Sequence, residues 1–491
     1  MNLLFASDEI DISKPIKHKN GTLADLDFDP ILDDMAEGDG NVREICKSIL
    51  EDLNTDHGTV ELRQAIVKDA MSNSGQFREI AKIASDTVKA IKKRIFWMGS
   101  GTPSIEIFES RRVLSIFMAS LAKIIQQLKS IENGKSSEIF KKYADEFMST
   151  FNEGWIKDVR EIIDITDFSD SLAASIGLGW DLSFENIVLL KSGKKNRLIR
   201  FGTKTRKVIL PPNCESCAEE LRSFRDAITS EVAVILKEAA SFVYQKILLM
   251  SREFSFYVGC VNFINSMNRV GIKLTFPAIT DGKLPEITFT DLVEASLALR
   301  SGKPPVPNSL GSPGALTFIV TGPNSGGKSV FLRSVGQAQI LAQSGLPVPA
   351  ARYRCTMFNR VFAYFSKDEK QGDQKGRFEK ELSDLQEIVS NLTGSDLVIL
   401  DEPLASTNQY DGAMIMREVI GSSEEGLIVT FTSTHFHYLA SWISESHSDR
   451  RVLMAAERLA DGQRTFRIRQ IPAAQGTSCA ADVWKKIMAY N

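Results

Sequence analysis

The stretch TFIVTGPNSGGKSVFLRSVGQAQILAQSG, residues 317–345, decides how the rest of the chain is read. Five apolar or β-branched residues are followed by a glycine-rich turn, and apolar residues then recur at helical spacing. This predicts a buried strand, a tight turn and a helix in immediate succession. Gly322-Pro323-Asn324-Ser325-Gly326-Gly327-Lys328-Ser329 fits the pattern G-x-x-x-x-G-K-[ST]. The physical demand behind the pattern is specific. Glycines let backbone N–H groups wrap an anion, and the helix N-terminus that follows favours negative charge. In that reading Lys328 neutralises the β- and γ-phosphates of a nucleotide and Ser329 ligates Mg2+. The plain alternative, a glycine turn with a solvated lysine, leaves the flanking strand and helix without a purpose.

Two further strands belong to the same layout. SDLVILDE (395–402) is a buried strand ending in Asp401 and Glu402. A carboxylate there can hold Mg2+ through its water shell, and the next one can polarise an attacking water, so Asp401 is the metal candidate and Glu402 the water-activating one. IVTFTSTHFHYL (428–439) is a third strand, and His435 just beyond it is placed to sense a γ-phosphate. His437 reads as structural. The expected fold of residues 265–491 is therefore α/β, a P-loop NTPase domain. The loop RSGKPPVPNSLGSPG (300–314) leads into its first glycine-flanked strand.

Upstream the texture changes. Residues 1–57 are acidic and turn-like and are expected to be irregular. From 58 to 180 apolar residues recur at three- and four-residue spacing through ELRQAIVKDAMSN, FREIAKIASDTVKAIKKRIF, SRRVLSIFMASLAKIIQQLKSI and FKKYADEFMSTFNEGW, predicting successive helices. Residues 181–212 suggest two or three short strands joined by Gly-Lys turns. Glu215–Val258 contains neither Pro nor Gly. If continuous it is a helix of about 66 Å, a lever or strut; the alternative is two helices meeting near Ser241. Residues 58–264 are thus a mostly helical domain with a basic β-hairpin region near 181–212.

Composition adds exclusions. The chain has 491 residues, 43% hydrophobic and 25% charged, with net charge −3, so any nucleic-acid surface must be local. The strongest local cluster is KSGKKNRLIRFGTKTRK (191–207), with eight Lys or Arg; it suits backbone contacts to nucleic acid, or equally an edge protected by lysines. Six scattered cysteines make no disulfide framework, and the lone Cys214-x-x-Cys217 pair lacks partners for a zinc site. No apolar run is long enough to span a bilayer, and MNLLFASDEIDIS lacks the basic start of a secretory signal. The expectation is a cytoplasmic protein, nucleoid-associated if prokaryotic, with no membrane partner.

TGPNSGGKS, SGLPVPA (344–350), GRFEKEL (376–382), DEPLASTNQYDG (401–412) and STHFHYL (433–439), in this order and spacing, resemble the ATPase domain of the MutS DNA mismatch-repair family. YVGCVNFINSMNRVGIKLTFPAI (257–279) resembles the join to that family's helical core, and the helices at 58–260 look like its core and lever. The resemblance implies an ABC-like ATPase domain preceded by a helical core, using ATP and Mg2+. It implies a homodimer formed through the ATPase domains, with DNA (duplex, mismatched or branched) as partner. By matching positions, Gly322 to Ser329 bind nucleotide, Asp401 and Ser329 serve Mg2+, and Glu402, His435 and Lys328 serve hydrolysis. Tyr410-Asp411-Gly412 matches the segment facing the partner subunit, and Asp411 is also a fitting N-cap for the helix after it.

Three departures accompany the resemblance. The family's serine two residues before Phe378 is Gly376 here, and its Gly-Arg-Gly-Thr is Leu404-Ala405-Ser406-Thr407. The third is the mismatch-reading N-terminal domain with its Phe-x-Glu wedge, for which the sequence leaves no room, so a short form is expected, without a nuclease tail. Phe77-Arg78-Glu79 and Phe151-Asn152-Glu153 match the tripeptide by chance, inside helical patterns. A transporter ATPase is the weaker alternative, because residues 376–396 lack Leu-Ser-Gly-Gly-Gln. A nucleotide-gated structural relative with little turnover, acting on ribosomes or RNA, is the other alternative, kept open by Gly376.

Overall fold

The computed structural model describes residues 2–5, 21–99, 101–166, 174–178, 184–189, 215–282, 284–323, 325–366, 376–446, 448–459 and 463–471. These residues divide into two compact units, Gly75–Phe254 on one hand and Met1–Ser74 with Ser255–Asn491 on the other.

The helices in chain order are α1 (Thr22–Asp25), α2 (Asp29–Ala36), α3 (Gly40–Glu51), α4 (His57–Ser72), α5 (Ser74–Ile95), α6 (Pro103–Glu132), α7 (Glu138–Thr150), α8 (Glu153–Ile165) and α9 (Glu215–Val270). An antiparallel pair, β1 (Ala174–Leu178) and β2 (Phe184–Leu189), precedes α9. The basic stretch 191–207 and Cys214 lie outside the described residues.

The unit Gly75–Phe254 is held by aromatic packing. Phe77, Phe140, Tyr143 and Phe254 form one cluster, and Phe117, Phe147, Phe151 and Trp155 another. Both phenylalanines of the Phe-x-Glu tripeptides are therefore core: Phe77 is fully buried and Phe151 nearly so. Phe151 does not lie inside a helix as its pattern suggested. It caps the end of α7, and Asn152 caps the start of α8 by accepting from Trp155 N.

The α9 helix is continuous over 56 residues and does not divide into two helices at Ser241. From Ala233 its buried residues in this unit include Leu236, Ala240, Val243, Ile247, Met250 and Phe254, alternating steps of three and four, so each turn from Ala233 to Phe254 is anchored. It also continues past Val258, where the glycine-free stretch ends. Gly259 does not stop it because its bare backbone is what lets α3 approach: a Cβ there would lie 2.6 Å from Cys46 Sγ.

The other unit holds two sheets. Its elements are β3 (Ala278–Ile279), β4 (Ile287–Leu292), α10 (Ala295–Ser301), β5 (Asn308–Leu310), β6 (Thr317–Thr321), α11 (Lys328–Gln343), β7 (Arg352–Cys355), β8 (Val361–Phe365), α12 (Arg377–Asn391), β9 (Leu397–Asp401), α13 (Gln409–Glu425), β10 (Val429–Ser433), α14 (His437–Glu445), β11 (Arg451–Arg458) and β12 (Arg464–Gln470). Six strands run in the order β12-β11-β6-β10-β9-β8, parallel except for β12; four others run β3-β7-β4-β5. Phe318 stacks on Phe431 at 4.3 Å across the parallel strands. Val398, Leu400, Leu404, Met416, Ile420, Phe436, Leu439 and Ile443 join one apolar cluster. The chain is thus helical with mixed sheets, an α/β arrangement in this unit.

The N-terminal region differs from the irregular segment expected. Residues 22–51 form three helices built into this unit, with Leu26, Phe28, Ile31, Leu32 and Met35 at 0–1% exposure. Gln337 on α11 fastens them. Its amide donates to Leu26 O (2.8 Å) and Ser296 Oγ (3.0 Å), and Ser296 Oγ donates to Asp27 O (2.6 Å). Thr22 Oγ1 donates to Val361 O on edge strand β8, covering an edge that would otherwise stay unpaired.

Candidate active site

Parallel pairing sets the site. Asp401, the last residue of β9, lies in register with Ser433, the last of β10, and Ser433 is in register with Val320 of β6. Everything that follows β6, β9 and β10 therefore emerges at one edge of the sheet, where open α/β sheets hold their ligands. The Gly322–Gly327 turn, Asp401-Glu402 and Thr434-His435 all arise there.

The glycine turn is shaped by its neighbours. Gly322 and Gly327 have φ of 127° and 95°, and Gly327 caps α11 in the left-handed region. A Cβ on Gly322 or Gly326 would come within 2.9 or 3.0 Å of Ala456 Cβ, and one on Gly327 within 3.3 Å of Phe466 O. The β11–β12 hairpin thus backs the turn directly. Arg464 Nη1 donates to Ser325 O at 3.4 Å, and Phe466 beside it is half exposed at 47% with φ 59°. Asn324 lies outside the described residues.

Lys328 is buried, and its Nζ donates to Gly322 O (2.9 Å) and Pro323 O (3.3 Å) and pairs with Glu402 Oε1 at 3.2 Å. The same Glu402 oxygen is 2.7 Å from His435 Nε2. The close His435 imidazole, helped by the Lys328 ammonium and opposed by burial, holds the Glu402 carboxyl below the ordinary glutamate range. Glu402 sits at φ 51°, and its N–H donates to Ser433 O (3.2 Å) and Ser433 Oγ (3.0 Å). Ser433 Oγ in turn donates to Asp401 Oδ1 at 2.5 Å. One hydroxyl therefore fixes both acids. Left-handed backbone at a non-glycine residue costs about 1–3 kcal/mol and needs such anchoring.

Lys328, Glu402 and His435 are thus brought together; Ser329, in the first turn of α11, and Asp401 offer hard oxygen donors at the same edge. Among the described residues no cluster of three or more His, Cys, Asp or Glu gathers as a metal cage. One hydroxyl and one carboxylate fit Mg2+, which keeps several waters and takes few protein ligands. Chemically, the edge can cradle a phosphate anion and hold a carboxylate ready to orient water.

Other expectations resolve differently. The N-cap of α13 is Asn408, whose Oδ1 accepts from Tyr410 N (3.0 Å) and Asp411 N (2.9 Å); Asp411 sits in the first turn, hydrogen-bonded to Asn408 Nδ2. Asn408 outcompetes Asp411 because it lies where the backbone is still extended, as an N-cap requires. Tyr410 is exposed and meets Tyr438 edge-on at 5.7 Å. His437 opens α14 and is exposed. Gly376 caps α12 without a side-chain bond, and a Cβ there would meet nothing within 4 Å. Sequence reasoning missed Ser433, Ala456, Arg464 and Phe466. Ser433 could have been found, since it ends the strand that pairs with Asp401.

Comparison with known proteins agrees with this layout. A family model for the MutS2 N-terminal domain matches residues 55–270, and one for MutS domain V matches residues 318–482. A protein named Endonuclease MutS2 from Lactococcus lactis is 27% identical over 267 residues, 52% of this chain and 33% of its own length. One of the same name from Streptococcus thermophilus is 34% identical over 140 residues, 28% of this chain and 18% of that protein. The DNA mismatch repair protein MSH1, mitochondrial, of Arabidopsis thaliana is 36% identical over 124 residues, 25% of this chain and 11% of that protein. The matched segments span a third or less of these relatives. Two models of one family, matched in chain order to the helical region and to the sheet that carries the site, place the chain in the MutS family.

Proposed function

We propose that the chain is a Mg2+-dependent P-loop ATPase whose ATP cycle drives a dimeric, DNA-binding clamp in mismatch repair or branched-DNA processing. The observation that carries the ATPase reading is Glu402 held between Lys328 and His435 beside the Gly322–Ser329 turn. The DNA reading rests on the names of the relatives.

In this reading the backbone of Gly322–Gly327 cradles the phosphates of ATP. A γ-phosphate competes with Glu402 for the Lys328 ammonium and frees the carboxylate. Glu402, a carboxylate at neutral pH, accepts a hydrogen bond from the attacking water and aims it in line. His435 reports loss of the γ-phosphate by returning to Glu402. Ser329 and Asp401 would hold Mg2+, which would supply charge neutralisation on the phosphate oxygens. Tyr410-Asp411-Gly412, exposed at its tyrosine, faces the partner subunit.

The test is ATP turnover with and without duplex, mismatched and branched DNA, for the wild type and Glu402→Ala. Loss of about 100-fold or more in turnover with ATP still bound is the expected result. Unchanged turnover removes Glu402 from the mechanism. Absence of DNA binding in every nucleotide state removes the clamp reading in favour of a nucleotide-gated structural or RNA-acting protein.

A further inference from the structure

Between the Asp401-Glu402 pair and Tyr410 the chain makes an unusual excursion. Glu402 and Leu404, on either side of Pro403, both occupy the left-handed region, with φ of 51° and 60°. Neither is glycine, so the segment does not adopt this path by local preference; something must hold it. One anchor is Leu404, fully buried in the apolar cluster. The other is Ser406. Its N–H (3.2 Å) and Oγ (2.8 Å) both donate to Glu381 Oε2.

Glu381 itself is out of place by composition. It lies on α12 at 5% exposure, where a carboxylate is costly unless its oxygens are satisfied. They are: Ser406 fills one, and Arg377 Nε donates to the other at 3.2 Å. Leu385, with Phe378, Ile388 and Leu392, packs α12 onto the apolar cluster, so a buried glutamate on this helix serves the 403–407 turn more than it serves α12. The clasp also joins the two regions where this chain leaves the family pattern, the start of α12 at Gly376 and residues 404–407.

We infer that Glu381 is a positioning residue for turnover, clasping the 403–407 turn to α12 and so fixing where the Glu402 carboxylate stands relative to the Gly322–Ser329 turn. The inference rests on the ATPase reading above. Glu402 is four residues from the clasp, and releasing Ser406 removes one of the anchors, alongside Leu404 and the Ser433 contacts, that resist relaxation of its strained backbone. A displacement on the order of 1 Å at such a group is enough to cost a large factor in rate without loss of substrate binding.

Two measurements on the full chain test it. The first is hydrogen exchange without nucleotide. Glu381→Ala should raise exchange in peptides covering 402–407 while leaving those covering β10, 429–433, unchanged. Unchanged exchange at 402–407 overturns the clasp. The second is steady-state kinetics with MgATP. Glu381→Ala should lower kcat about tenfold or more with KM and ATP affinity held within about twofold. Glu381→Gln, which keeps an acceptor for Ser406, should recover most of kcat. Equal losses in kcat, affinity and melting temperature would make Glu381 merely structural, and an unchanged kcat with raised exchange would refute the positioning role. A wild type that neither binds nor hydrolyses ATP would instead refute the ATPase reading, and with it the positioning role, while the exchange result would still decide the clasp.

Discussion

Leu404 offers a sign test of backbone strain. It is fully buried among Leu400, Ala413, Met416 and Phe436, yet holds φ 60°, a conformation suited to glycine. Truncation to Ala removes the side chain but leaves a Cβ in the left-handed region. The expected loss is about 2–5 kcal/mol, transfer plus cavity. Truncation to Gly removes one further carbon and also relieves about 1–2 kcal/mol of strain. Against that stands about 0.4–1 kcal/mol of extra entropy in the unfolded chain. The balance makes Leu404→Gly as stable as Leu404→Ala or more stable, by up to about 1.6 kcal/mol, reversing the usual order of the two residues. Because the chain has two units, global melting is a poor probe. Hydrogen exchange in α13, whose Ala413, Met416 and Ile420 share the cluster, reads the local opening free energy directly. A Gly variant clearly less stable than the Ala variant would refute the strain argument. A wild-type-like Ala variant would refute the packing argument.

Two further outcomes follow from the same unit. Glu294 is 1% exposed, and burial, only partly offset by Arg333 and Arg300, raises its carboxyl to about 7. A raised acid favours its neutral form when folded, so its contribution is present below about pH 4.5 and is lost as pH rises through about 7. From the shift the loss is of order 3 kcal/mol, and Glu294→Gln should flatten the stability–pH profile of this unit over that window; a parallel profile would contradict it. Ala456→Val should push the added methyls against Gly322 and Gly326 and weaken ATP binding about tenfold or more, measured by calorimetry, with the fold retained; unchanged affinity would mean the hairpin does not support the turn.

What could be read in the sequence is what is local. The strand–turn–helix at 317–345 carries its own signals, and so do the acids ending β9 and the histidine after β10. Their meeting at one edge follows from parallel pairing alone. The rest depends on partners far along the chain. Residues 22–51 read as irregular because α1 and α2 are four and eight residues long and acidic; only Gln337, Ser296 and Val361 give them a place. Gly259 looked like a helix end because nothing in the sequence announces the Cys46 that packs on it. Glu381 looked like one acid among many on an amphipathic helix, since Ser406, which donates to it twice, lies 25 residues away.

The docking of the N-terminal helices has a consequence for biosynthesis. Leu26 emerges from the ribosome long before Gln337, which is 311 residues downstream. At about 5–20 residues per second, roughly 15–60 s pass before the α11 surface that packs on Leu26 exists. During that interval a short apolar segment must be kept from aggregation by other means. Chaperone demand in this protein should therefore concentrate on its first fifty residues, and slowing translation downstream of them should lower its soluble yield.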